Sequence, residues 1–321
     1  MKKTTLLLLL CGALTTHADV SLPKAIDSKM VLQRDKEVPV WGWADQGEEV
    51  TVEFAGQVKK AMPDTSGKWM LKLDPMPAST ESRTMTVKGK NEIKLEDVLV
   101  GEVWLATGQS NMQLTFRDNN PEEWPVAQMQ KDNRLVRALH VRRVVAGAVM
   151  DDINGRWKDC ADMLANSDSV SSVAFFFAVK LQKEIGIPVA FIDCPWGGMR
   201  IESFIPDEGY KAINVALPVH GKTPDLKRAE AELRAVADDA RVAAEAAAKG
   251  RTVGFSTMYP IYGQAPNSIC NAMISPVAPY ALRGAIWYQG ESNHGQPDYF
   301  QKLQALSAGW SQIFQVKDIP I

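Results

Sequence analysis

Short runs with alternating apolar and polar positions dominate residues 20 to about 96. "EVPVWGWA", "EEVTVEFAG", "KWMLKL" and "RTMTVKG" each put every second side chain on one face, the period of a half-buried strand. "DQG", "DTSG" and "PMPAST" separate them and supply turn chemistry. Strands this short at this spacing predict a small β-sandwich over 19–96, with a structural role preferred to a carbohydrate-binding one.

From about residue 97 the pattern lengthens. Apolar runs at 98–106, 134–140, 188–194 and 284–288 read as buried strands, and 170–185 and 299–314 read as helices. The first helix is followed by Gly186 and Pro188, a stop signal. Strands alternating with helices predict an α/β domain over 97–321, a parallel sheet with helices on both faces. Ligands of such sheets sit beyond the carboxyl ends of the strands. Residues 224–249, "PDLKRAEAELRAVADDARVAAEAAAK", are Ala-rich and charged with a thin apolar stripe. They predict a solvated helical insertion within about 207–256, serving as a peripheral helix, a lid or a subunit contact.

The amino terminus departs from both patterns. Met1-Lys2-Lys3, the leucines 6–10 and the small residues Thr16-His17-Ala18 predict a secretory signal over 1–18, cleaved after Ala18. The alternative, acylation of Cys11, is disfavoured by bulky Leu10 before it. The run is too short to span a bilayer, so the expected mature protein is soluble and secreted or periplasmic, with no membrane partner. Lys plus Arg is 36 against 38 Asp plus Glu, a net charge of -2 with no long basic run, and that argues against a nucleic-acid partner. Of four cysteines, Cys11 lies in the leader, and Cys160, Cys194 and Cys270 match no zinc spacing. They read as buried apolar residues, with one disulfide left open, and neither a metal nor a cofactor is expected.

Three polar turns follow predicted strands: Gly108-Gln109-Ser110-Asn111, "CPWGGMRIESF" and "WYQGESNHG". A parallel sheet brings all three to one edge. Acyl transfer accounts for their residue types. Ser110 at a helix start exposes its Oγ and keeps a free backbone N–H. Gly198 lets a second N–H approach a reacting carbonyl. A side-chain amide from Gln289 or Asn293 would complete the oxyanion hole. Glu291 is expected to support the third turn by holding backbone N–H groups. Gln109, Asn111, Trp196 and Arg200 are the candidate substrate contacts, Trp196 by stacking on a sugar and Arg200 by meeting an acidic sugar's carboxylate. An Arg200–Glu202 surface ion pair is an equal alternative. Nothing near Cys194 would activate it as a nucleophile.

"GQSNM", "WGGMRIESF", "NAMISPVAPYALRGAIWYQGESN" and the earlier "MVLQRDKEVPVWGWA" occur in that order. Together they resemble the sialate O-acetylesterase group of the SGNH hydrolases, from about residue 20 to the end. The resemblance implies a flavodoxin-like SGNH domain beside a β-sandwich, and removal of O-acetyl groups from sugars without metal or cofactor. It places the nucleophile on Ser110, the second-block glycine on Gly197 or Gly198, and the third-block polar residues on Gln289, Glu291 and Asn293. The family's D-x-x-H motif does not occur, so the sequence reads as a carboxyl-truncated copy of the family whose activity is impaired. Among its four histidines, His17, His140, His220 and His294, only His294 sits on a site turn, and it is expected to be a loop residue rather than the base. The alternatives are a carbohydrate-binding protein that keeps the pocket, and a glycosidase. The latter needs two facing carboxylates, for which only Glu202 and Glu291 are candidates.

Overall fold

The computed structural model describes residues 19–118, 129, 132–164, 170–214 and 264–321. The expected leader, His220 and the expected helix over 224–249 lie outside them.

One long strand organises the chain. β7 (Glu92–Gly108) runs for 17 residues, and the expected boundary at 96/97 falls inside it. Its first half pairs antiparallel with β6 (Ser79–Lys88) and parallel with β1 (Val31–Gln33). β3 (Val50–Phe54) and β4 (Gln57–Ala61) continue that side. Its second half is flanked in parallel by β10 (Val189–Asp193) and β11 (Gly284–Tyr288). β8 (Val136–Val141) lies parallel beyond β10, and β9 (Gly155–Asp159) closes the edge antiparallel. β2 (Val38–Trp43) and β5 (Lys68–Leu73) form a separate two-stranded ribbon. The result is an α/β architecture built on a mixed sheet. β9 was not expected from its polar sequence "GRWKD".

The parallel strands are buried on both faces, which explains their unbroken apolar character. Successive residues sort into two cores. Ala106, Ala138 and Phe191 pack with Phe175 and Ala178 of helix α3 (Ser172–Ile185). Leu105, Leu139 and Ile192 belong to the core that holds Leu306 and Trp310 of helix α5 (Tyr299–Ile313). α1 (Ser110–Gln113) and α2 (Cys160–Leu164) precede these in the chain, and α4 (Asp207–Ala212) lies between them. α3 starts where Ser171 accepts the Ala174 N–H and stops at Gly186 in the left-handed conformation, so both of its ends are local sequence features. Among the described residues no helix is long and apolar enough to cross a membrane.

Candidate active site

The carboxyl ends of β7, β10 and β11 bring the three polar turns together. Gly108 has φ +144, and a Cβ there would stand 2.2 Å from Tyr288 O, so the turn exists only because β7 and β11 touch backbone to backbone. Gln109 N donates to Tyr288 O at 3.0 Å. α1 then begins at Ser110, which is exposed. On the β10 side, Trp196 N donates to Gly108 O and draws the second turn over the first. A Cβ on Gly197 would lie 3.4 Å from both Cα and Cβ of Ser110, so the second turn packs at van der Waals distance on the first.

Side-chain amides lash the turns together. Gln109, 3% exposed, accepts the Gly290 and Ser292 N–H groups through Oε1 at 3.4 and 3.2 Å. Gln113 Oε1 takes the Gly197 N–H. Asn111 donates to Glu291. Gln289 Nε2 donates to Met199 O at 3.1 Å and Asn293 Oδ1 at 2.7 Å. Asn293, 2% exposed, accepts the Ile201 N–H and donates to Glu202 Oε2 and Gln296 Oε1. Both amide protons of Gln289 and both of Asn293 are therefore committed inside the protein. The N–H groups of Ser110 and Gly198 carry no acceptor among the described residues, and Ser110 Oγ makes no hydrogen bond there.

Several expectations change accordingly. Asn293 is an internal tie whose amide has no proton left for an oxyanion, and Gln289 is occupied in the same way. Gln109 is a buried clamp rather than a substrate contact. Trp196 is 4% exposed and part of the core, so its ring offers no sugar platform. Glu291 holds the Asn111 side chain instead of backbone N–H groups. Arg200 does not pair with Glu202. Glu202 is buried and bonded to Lys302 at 2.8 Å, with Asp298 also on that lysine. Burial pushes the Glu202 carboxyl up, but hydrogen bonds from Lys302 and Asn293 outweigh it and hold the group below its usual range. Tyr299, whose phenol is lifted chiefly by burial, donates to the Gln289 carbonyl and side-chain oxygens.

One polar pair is not legible in the sequence. His140 Nδ1 meets Asp193 Oδ2 at 2.8 Å, and Asp193 is 1% exposed. The two sit level on adjacent strands, so only the strand order could have joined them. His294 is exposed, and its backbone N–H bonds Glu291 O. Cys160, Cys194 and Cys270 are free and buried. Burial first, then Asp159, pushes the Cys160 thiol up to about 12, and burial likewise brings Cys270 to about 12. Among the described residues no group of three or more His, Cys, Asp or Glu could hold a metal.

An exposed serine hydroxyl can add to a carbonyl, and N–H groups left open near it can receive the resulting oxyanion. No family model matches the chain. It is similar to the sialate O-acetylesterase of Rattus norvegicus, 30% identical over 96% of this chain and 59% of the relative. The Homo sapiens protein of that name is 28% identical over 90% of this chain and 52% of its own length. The chain thus spans between half and three-fifths of these curated relatives. Among solved structures, a carbohydrate acetylesterase from Xanthomonas citri superposes with a TM-score of 0.71 at 26% identity, covering 94% of this chain and 59% of that one.

Proposed function

We propose, from the chain's similarity to the sialate O-acetylesterases, of which it spans between half and three-fifths, a secreted carbohydrate O-acetylesterase of that family. In this reading an SGNH hydrolase domain, with Ser110 as nucleophile, follows an amino-terminal β-sandwich. The observation that carries it is the exposed Ser110 at the meeting of three turns, with its own N–H and that of Gly198 unclaimed. Ser110 Oγ adds to the acetyl carbonyl, the two N–H groups hold the oxyanion, and the sugar hydroxyl leaves. Water then releases acetate from the acetyl-enzyme. Arg200, half-buried and with no ion-pair partner among the described residues, would meet the carboxylate of an acidic sugar such as a sialic acid.

Ser110 Oγ has no base within hydrogen-bond reach among the described residues, so turnover by the 321-residue chain is expected to be slow. Oxyanion binding without a base retains about 10³–10⁴-fold over water in other serine enzymes. The second reading, a binding protein that keeps the pocket, draws on the same unpartnered hydroxyl. Acetate release from an O-acetylated sialic acid and from acetylated xylan separates the two. A rate above buffer that Ser110→Ala abolishes supports the esterase; saturable binding of the acetylated sugar with no Ser110-dependent release supports the binder.

A further inference from the structure

We propose that the cleft between the β2–β5 ribbon and the segments 149–151 and 275–279 is a glycan site separate from the Ser110 turns, and that it holds a neutral oligosaccharide. The cleft encloses about 720 Å³, inside the range of roughly 300–1,000 Å³ typical of small-molecule sites. None of the residues lining it belongs to the three polar turns.

The ribbon register builds the floor. Trp41 opposes Met70, and Trp43 opposes Lys68, and residues opposed across an antiparallel pair project from the same face. Two indoles, a thioether and an ammonium therefore share one face, while Trp69 packs over Gly42 on the other. Trp41 is backed edge-on by Tyr280 at 6.3 Å. Trp43 stays half-buried and Met70 is 47% exposed, whereas Trp41 is 9% exposed and belongs to the core, so the open part of the floor is Trp43 and Met70. Large apolar groups held on a rigid strand yet left partly in water match the non-polar C–H faces of pyranose rings. The rim is polar: Asp64 and Lys68 on one side and Asp151 on the other, with Lys68 Nζ 2.5 Å from Asp151 across the gap. Carboxylates accept and the ammonium donates, which suits sugar hydroxyls.

Charge chooses among sugars. Asp64 and Asp151 against Lys68 leave one net negative charge in the lining, which disfavours a carboxylate-bearing sugar and selects an uncharged chain. The inference goes beyond the esterase reading. It would give the protein a hold on the glycan away from the acetyl group.

The test is calorimetric titration of the whole chain with unacetylated cellohexaose and xylohexaose, which carry no ester. We expect saturable binding of at least one. Trp43→Ala should weaken it about tenfold, the loss of one stacked ring. Asp151→Asn should weaken it several-fold, and Ser110→Ala should leave it unchanged. If Trp43→Ala fails to melt cooperatively, the exposed Asp64→Asn joins Asp151→Asn as the deciding variant. The proposal is overturned by no binding of either hexaose, or by binding that the cleft variants do not alter. Preference for sialyllactose would overturn it too, as would a concentration-dependent dimer lost in Trp43→Ala, since the cleft would then be a self-association surface. Acetate release measured in parallel keeps the two readings apart. Hexaose binding without Ser110-dependent release refutes the esterase alone, and release without hexaose binding refutes this site alone.

Discussion

Replacing Lys302 with methionine keeps the length and apolar stem of the side chain and removes only its charge. The lysine is 7% exposed and Glu202 1%, and Lys302 Nζ bonds Glu202 Oε1 at 2.8 Å, Asp298 at 2.9 Å and Gln296 Oε1 at 2.6 Å. Glu202 would keep Asn293 but lose its counter-ion in a buried setting. Stranding one member of a buried pair costs about 3–5 kcal/mol. Because Asn293 still donates to the carboxylate, the lower end, about 3 kcal/mol, is expected. Urea unfolding at pH 7 followed by tryptophan fluorescence measures the loss. The double variant Lys302→Met with Glu202→Gln removes the stranded charge and should recover at least half of it. The sign with pH follows from the depressed Glu202 carboxyl. Its contribution is fully present above the unfolded glutamate value near 4.3, and is lost as pH falls through the lower folded value. Wild type should therefore weaken on acidification over that window more than the double variant does. A single variant within 1 kcal/mol of wild type, or a double variant worse than the single, refutes the reasoning.

Other outcomes are equally definite. Gly108→Ala should give no cooperative melt or a loss of several kcal/mol, because its Cβ would meet Tyr288 O in a backbone region that L-residues rarely adopt. Gln109→Ala should cost about 1–3 kcal/mol by leaving the Gly290 and Ser292 N–H groups without their acceptor, read by the same unfolding assay, with any Ser110-dependent acetate release falling in step. His140→Ala leaves buried Asp193 with the Ser171 N–H, at 3.3 Å, as its hydrogen-bond donor among the described residues, and should lower stability by about 1–3 kcal/mol; thermal melts that coincide with wild type would show that the pair adds nothing. Native protein at pH 8 should react with a thiol reagent at a small fraction of the rate seen in urea, since burial raises Cys160 and Cys270 to about 12.

What the sequence reveals here is what is decided locally. β11 runs over the expected 284–288. α3 lies where its serine cap and glycine stop place it, and Gly108 is the glycine the turn requires. Side-chain burial in the turns is a different matter. Trp196 sits in a stretch that reads as an open loop, yet its N–H bonds Gly108 O and its ring is drawn into the core. Asn293 looks like a catalytic amide until Glu202, 91 residues earlier, is seen beside it. His140 and Asp193 are 53 residues apart and meet only because β8 and β10 are neighbours. Each miss is a contact between distant segments, which periodicity and turn chemistry do not encode.

The abundance of Gln and Asn in the site motifs has a physical reason distinct from chemistry. Three loops that meet at a sheet edge bury backbone N–H and C=O groups that have no ladder partner, and each would be costly if left unmade. An amide carries both donors and an acceptor without charge, so it can satisfy such groups without the penalty of burying an ion. Gln109 ties the first turn to the third, Gln113 ties the first to the second, and Gln289 with Asn293 ties the third to the second. Once those bonds are made, the amides are used up, while Ser110 Oγ and the N–H groups of Ser110 and Gly198 stay open among the described residues. In the proposed reaction the amides would act only by fixing where these stand. Their loss should therefore lower stability and turnover together, whereas Ser110→Ala should abolish turnover and leave stability intact.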